Sequence, residues 1–312
     1  MTVRAVRLPE TADLDRAWRR VGAVLAPTPV LPTALAPDAL LKLETFQPTG
    51  SFKVRGALAA VAALPPGEAA VTASAGNHGL AMAFAASRTG AEVTVVVSTR
   101  ASAAKVAKIE SYPVTLVRHG TGYEDAEEHA LGLPGHFVSP YNDPDVIAGQ
   151  ATLGRELDRQ VDGPLTVVVP VGGGGLAAGL SLWARERGDV RIVGVESAAS
   201  LAVSAAVRAG AVTEVEVGPT IADGLSGNLE PGSVTPELLR GHAELVSVTD
   251  AEIHTALRRL FGEHGLVAEG AGACGLAAVL AGKVDVRGRL VVVLSGRNVT
   301  VPTYTGALSA AE

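Results

Sequence analysis

The chain has 312 residues, of which 47% are hydrophobic and only 19% charged, so an intrinsically disordered chain is excluded and there is apolar material for one large core or two ordinary domains. A formal net charge of −6 offers no basic surface, so neither nucleic acid nor an anionic membrane is expected as a partner. The single cysteine, Cys274, excludes an intrachain disulfide, and with no signal-peptide pattern and no membrane-length apolar run the sequence reads as a cytoplasmic protein.

From the N-terminus, Thr11 to Leu25 opens on threonine and acidic residues, carries helical spacing and stops at Pro27, Pro29 and Pro32. Leu40 to Glu44 reads as a short strand. Thr49-Gly50-Ser51 reads as a turn with Ser51 as N-cap of a helix to Leu64, which puts Lys53 in its first turn. Beyond the loop at 65 to 67 come a strand at Ala70 to Ala73, a helix through Ala86, a strand at Glu92 to Ser98, a helix at Ala101 to Glu110 and a strand at Val114 to Val117. The acidic stretch "EDAEEHA" at 124 to 130 reads as a solvated helix face. A helix near Ile147 to Gln160, strands at 165 to 171, 190 to 196 and 289 to 295, a helix from Leu176 and helices near 200 and 250 complete the pattern. Continuous Val-rich strands separated by helices predict an α/β protein with mostly parallel sheet covered on both faces, and 36 glycines with 4% aromatics suit close helix packing on it.

Four stretches carry chemistry. In "TGSFKVRGA" the unpaired amides of a helix start disfavour an ammonium group by up to ~1 kcal/mol, so Lys53 is an odd choice there. Beside the apolar wall of Phe52, its neutral amine is favoured and can attack a carbonyl; the competing reading is a solvated surface lysine. Gly172, Gly173, Gly174 and Gly175, followed by Leu176, link a buried strand to a helix and turn several amides towards one point, as a phosphate site requires. Two ligand classes fit, because Gly172-x-Gly174-x-x-Ala177 with Glu196 also matches the dinucleotide fingerprint, although a dinucleotide leaves Lys53 without a role. In "SAGNHG", Ser74, Ala75 and Gly76 leave room for a flat ring, Asn77 offers an amide to a ring oxygen, and the amides through His78 could hold a carboxylate; the competing reading is a plain turn and cap. In "SGRN", Ser295 places a hydroxyl at the carboxyl edge of the sheet, where ligands bind in such folds.

Together these stretches resemble the threonine/serine dehydratase and serine racemase family of fold type II pyridoxal phosphate enzymes: "LETFQPTGSFKVRGA" its Schiff-base lysine motif, "SAGNHG" its ring-and-carboxylate loop, "VPVGGGGL" its phosphate cup and "SGRNVT" its pyridine-nitrogen serine. "NDPDVIAGQATLGRE" at 142 to 156 and "VAEGAGACGLAAV" at 267 to 279 are also familial, so the likeness covers nearly the whole chain. It implies a two-domain protein, the large cofactor-binding domain from residues 1–68 and 139–312 and the small domain from 69–138, each with an open, mostly parallel sheet. It further implies pyridoxal 5'-phosphate bound by Lys53, Phe52, Asn77, the Gly172 to Leu176 loop and Ser295, with an amino-acid substrate at Ser74, Ala75, Gly76, Asn77 and His78. Lys53 would take the Cα proton, the cofactor phosphate would protonate the departing β-hydroxyl, and a 2-oxo acid and ammonia would result. A neutral Ser295 at the ring nitrogen weakens the electron sink and favours elimination over transamination. A homodimer or higher homo-oligomer is expected.

Departures from the family pattern bear on what carries over. The usual "EP" is Glu269-Gly270 here, and "SGGN" is Ser295-Gly296-Arg297-Asn298. The serine that racemases use on the opposite face is Ala75. The glutamate of their divalent-cation site is matched by Glu196, but its aspartate is Ala202, so no metal site is expected. With few residues after "SGRNVT", the regulatory domain of biosynthetic threonine dehydratases is not expected. Competing readings are other chemistry with the same cofactor (racemisation, hydroxyaspartate dehydration, β-replacement), a non-catalytic ligand-binding relative, and a nicotinamide oxidoreductase.

Overall fold

The structure is a computed structural model and describes residues 4–310. Among the described residues, ten strands form in chain order: β1 Val30–Thr33, β2 Ala39–Leu43, β3 Ala70–Ala73, β4 Val93–Val97, β5 Thr115–Arg118, β6 His136–Phe137, β7 Leu165–Pro170, β8 Val190–Ser197, β9 Ala243–Val248 and β10 Arg289–Leu294. They make a six-stranded sheet, β1-β2-β10-β7-β8-β9, and a four-stranded sheet, β5-β4-β3-β6. Every pairing is parallel except β1 against β2.

The Val-rich runs are buried on both faces for a simple reason. Successive side chains of a strand point to opposite sides, so a sheet covered twice needs apolar residues at every position. In β7 and β10, Val167, Val169, Val291 and Val293 enter one core with the helices Pro144–Gln160 and Gly175–Arg187. Val168, Val292 and Leu294 enter the other with Asp250–His264 and Gly270–Leu280. The smaller sheet is built likewise: Val93, Val95 and Val97 pack with Lys53–Val61 and Asn77–Thr89, while Val71 and Val96 pack with Tyr123–Leu131.

Several elements differ from the sequence reading. Neither β1, β9 nor the helices Gly270–Leu280 and Val301–Ser309 is marked by the patterns used above; β1 lies among prolines and survives as an antiparallel edge strand. Ser51 does not cap the lysine helix. Phe52 occupies the N-cap position without a side-chain bond, Ser51 forms a β-bridge with Gly296, and its buried hydroxyl has no hydrogen-bond partner among the described residues. The acidic helix Tyr123–Leu131 is not wholly solvated either: Glu127 is buried and accepts a hydrogen bond from the Tyr123 hydroxyl at 2.8 Å.

Behind the lysine helix lies a buried ionic cluster. Arg55 grips Glu44 with Nε at 2.7 Å and a terminal nitrogen at 2.8 Å, and reaches Glu156 at 2.7 Å. Lys42 meets Glu156 at 2.5 Å and the Thr28 carbonyl at 2.8 Å. All four charged side chains are at most 3% exposed, so two cations and two anions compensate one another out of water. Burial alone would raise the Glu44 carboxyl, but Arg55 and Lys42 hold it down to about 2. The cluster clamps the first turn of the helix Lys53–Val61 to β2 and to the helix Pro144–Gln160.

Candidate active site

The two stretches that hold Lys53 and Ser295 run side by side. Phe52 N–H donates to the Ser295 carbonyl at 2.9 Å, Arg297 N–H donates to the Gly50 carbonyl at 2.9 Å, and Asn298 Nδ2 donates to the Thr49 carbonyl at 2.8 Å. This lacing fixes where the lysine helix starts relative to the carboxyl end of β10. Lys53 is its first residue and reaches across to the Pro140 carbonyl, 2.8 Å from Nζ, with Nζ 5.2 Å from the centroid of the Phe52 ring. Burial pulls the amine down to about 8, against the attraction of Glu269. The shift raises the share of free base at neutral pH above that of an ordinary lysine.

Lys53 lies in a cleft of about 1180 Å³ whose wall includes all of the predicted site: Phe52, Ser74 to His78, Gly172 to Leu176 and Ser295. The glycine loop connects β7 to the helix Gly175–Arg187, so the unbonded amides of a helix start face the cleft. Its glycines are demanded by space: a Cβ on Gly173 would lie 2.3 Å from the Tyr141 ring, and Gly174 adopts φ +87°. Ser295 is buried beneath the cleft, and its hydroxyl makes no hydrogen bond among the described residues.

The helix Asn77–Thr89 also begins at the cleft, after β3. Ser74 Oγ accepts from Gly76 N–H at 3.2 Å, which engages one of the amides expected to hold a carboxylate. Asn77 donates to Glu269 Oε1 at 2.7 Å. The His78 ring faces inwards: it is 3% exposed, Nε2 lies 3.2 Å from the Val138 carbonyl, and burial pulls it down to about 3, with the Lys53 charge adding to the effect. His78 is therefore a neutral packing residue whose contribution to the cleft is its backbone.

Sequence reasoning missed three residues of the wall. Glu269 lines the cleft, and burial pushes its carboxyl up to about 7 against the hydrogen bond from Asn77. Tyr141 underlies the glycine loop, its hydroxyl oxygen accepting from Glu230 N–H at 2.6 Å, and Ser139 Oγ donates to Glu230 Oε1 at 2.6 Å. A lone acid beside the apolar run "GAGACGLAAV" was the available signal for Glu269; nothing local marks Tyr141 or Glu230.

Glu196 is turned away from the cleft. Its carboxylate accepts from Val203 N–H at 2.9 Å, and from the Ser204 amide and hydroxyl, at the start of the helix Ala202–Ala209. This removes the acid on which a dinucleotide reading depends. Arg297 points outwards to the Thr45 carbonyl, so the departure from "SGGN" leaves the cleft unchanged.

These features suit pyridoxal phosphate: a depressed-pKa lysine, a helix start stripped of side chains for a phosphate, and a buried uncharged hydroxyl for a ring nitrogen, without a partner among the described residues. Comparison with known proteins agrees. A sequence model described as pyridoxal-phosphate dependent enzyme matches residues 23–296. The L-threonine ammonia-lyase of Thermotoga maritima is 39% identical over 308 residues, covering 95% of this chain and 76% of that protein. The T.th. threonine deaminase superposes with a TM-score of 0.86 at 34% identity, covering 94% of this chain and 99% of that one. Maize serine racemase superposes with a TM-score of 0.88 at 27% identity, covering 97% of each chain.

Proposed function

The chain belongs to the pyridoxal-phosphate dependent enzyme family, and from that premise we infer that it is an ammonia-lyase, removing water from a β-hydroxy amino acid to release a 2-oxo acid and ammonia. The observation that carries the reading is the placement of Lys53 in a cleft that also receives a side-chain-free helix start, where burial pulls its amine down. When bound, pyridoxal phosphate supplies an aldehyde for amines and a ring that withdraws electrons from the substrate's Cα.

The chain's own residues do the rest. Lys53 would hold the cofactor through Nζ and, once freed, would be the base for the Cα proton, a role favoured by the burial that pulls this amine down to about 8. The amides of Gly172 to Leu176 would hold the phosphate, Phe52 would border the ring, and Asn77 would donate to its oxygen. Ser295 would meet the ring nitrogen with a neutral hydroxyl, which stabilises a protonated ring less than a carboxylate would and so would limit charge build-up at Cα. The backbone amides of Ser74 to His78 left free of Ser74 Oγ would hold the substrate carboxylate at the start of the helix Asn77–Thr89. Residues 69–138, which contain β3 to β6, would form the small domain and the remainder the large one.

Threonine and serine are the substrates proposed. A cytoplasmic homo-oligomer belongs to the same reading, the former supported by the buried free thiol of Cys274. Among the described residues, no helix is long and apolar enough to cross a membrane. The test is release of 2-oxo acid from L-threonine and L-serine by the purified protein, with borohydride labelling to locate the cofactor. Turnover with the label on Lys53 is expected; a label elsewhere, or no 2-oxo acid from either substrate, would overturn the proposal.

A further inference from the structure

The hydrogen bonds around Asn77 have a polarity that can be read without ambiguity. They begin at a backbone carbonyl, which only accepts: the Thr49 carbonyl receives Asn298 Nδ2 at 2.8 Å, and this fixes which end of the Asn298 amide is which. The same Nδ2 donates to Asn77 Oδ1 at 2.7 Å, so Asn77 must turn its carbonyl to Asn298 and its NH2 the other way. That NH2 gives one hydrogen to Glu269 Oε1 at 2.7 Å and keeps one more. The backbone N–H of Asn298 faces the same carboxyl and closes a ring of three residues, all of which line the cleft.

Two neighbouring glycines make room for this ring. A Cβ on Gly50 would lie 2.8 Å from Asn298 Oδ1, and one on Gly296 would lie 2.4 Å from Glu269 Oε1. The ring also joins separate parts of the fold, since Asn77 follows β3 of the smaller sheet whereas Asn298 follows β10 of the larger. An asparagine amide is nearly symmetric in shape, so an unconstrained Asn77 could present either end to a ligand. Here that choice is removed.

We propose that Asn298 and Glu269 are positioning residues that act through Asn77, holding its amide so that an N–H, and not the carbonyl, meets the ring oxygen of bound pyridoxal phosphate. This rests on the cofactor reading above. An anionic ring oxygen is stabilised by a donor and repelled by a carbonyl, so the orientation of one amide separates a binding site from a poor one.

The decisive variant is Asn298→Asp, which puts an acceptor where the Thr49 and Asn77 oxygens need a donor and forces Asn77 to turn over. Cofactor-free protein is titrated with pyridoxal phosphate, and the visible absorption of the loaded protein is recorded. The dissociation constant should rise about 10- to 100-fold, as for loss of a hydrogen bond to a charged group. The absorption band should move, and far-ultraviolet circular dichroism should not. In an Asn77→Ala background the same substitution should add nothing, because its effect runs through Asn77. Parental affinity and spectrum in Asn298→Asp, or losses that add in the double variant, would overturn the proposal.

Should Asn298→Asp fail to fold, Glu269 provides the second route. Glu269→Gln offers an amide oxygen to Asn77 and should keep the affinity, whereas Glu269→Leu should lose it only when Asn77 is present. Equal affinity of Glu269→Leu and the parent overturns the inference. A parent that takes up no pyridoxal phosphate overturns the cofactor reading and this inference with it; a parent that binds beside an indifferent Asn298→Asp overturns the inference alone.

Discussion

Replacing Lys53 by methionine should abolish turnover and yet stabilise the cofactor-free protein. Burial pulls the amine from its usual 10.5 to about 8, against the attraction of Glu269. The gap between those values corresponds to roughly 3 kcal/mol opposing the fold at neutral pH. Three effects reduce it: the hydrogen bond to Pro140 at 2.8 Å, the cation over the Phe52 ring at 5.2 Å, and screening by water in the cleft that Nζ faces. Methionine keeps the length of the side chain and discards its charge, so we expect a net gain of about 1 to 2 kcal/mol and, for a chain of this size, a melting point higher by about 2 to 3 °C. The sign with pH follows from proton counting. Below pH 8 the amine is charged in folded and unfolded chains alike, and the penalty is complete; between pH 8 and 10.5 the folded chain sheds a proton that the unfolded chain keeps, so parental stability climbs towards that of the variant. In urea unfolding of the cofactor-free proteins, the difference should be widest below pH 8 and close by pH 10.5. A variant less stable than the parent at pH 7, or a difference indifferent to pH, would refute the argument that burial strains Lys53.

Three more outcomes are expected. Gly173→Ala brings a Cβ to 2.3 Å from a Tyr141 ring held by Glu230, overpacking that costs about 1 to 3 kcal/mol, and titration should show pyridoxal phosphate bound at least about 10-fold more weakly; parental affinity would count against the glycine loop as the phosphate site. With Glu196 committed to Val203 and Ser204, a chelator should change the rate of 2-oxo acid release by less than about twofold, and a complete loss restored by magnesium would contradict this. Because Ala75 can neither give nor take a proton, L-serine should yield pyruvate with little D-serine, and Ala75→Ser should raise the D-serine share; D-serine formed by the parent as fast as pyruvate would defeat the assignment.

How far the sequence was legible depended on the range of the physics involved. Strands such as β4, β7 and β10 announce themselves because burial on two faces demands unbroken apolar runs, and the glycine loop announces itself because only missing side chains let so many amides converge. Lys53 was conspicuous for violating a local preference. What stayed hidden was made by partners far apart in the chain. Ser51 looks like a cap until Gly296 takes its backbone, and His78 looks like a cleft residue until Val138 draws its ring inwards. Tyr141 and Glu230 meet only in three dimensions, and Glu269 owes its raised pKa to burial that no neighbour in sequence foretells.

The ionic cluster behind the lysine helix also bears on how this sequence can drift. Changing any one of Lys42, Glu44, Arg55 or Glu156 leaves a partner charged and dry, at about 3 to 5 kcal/mol, a large fraction of the stability of an ordinary domain. A concerted exchange for apolar residues of matching volume would be nearly neutral, but no path of single tolerated steps leads to it. The four positions are therefore expected to change together rather than one at a time. Arg55 is only two residues from Lys53, so a barrier to mutation in the interior also preserves the placement of the reactive amine, whatever happens to the amino acids that line the cleft in front of it.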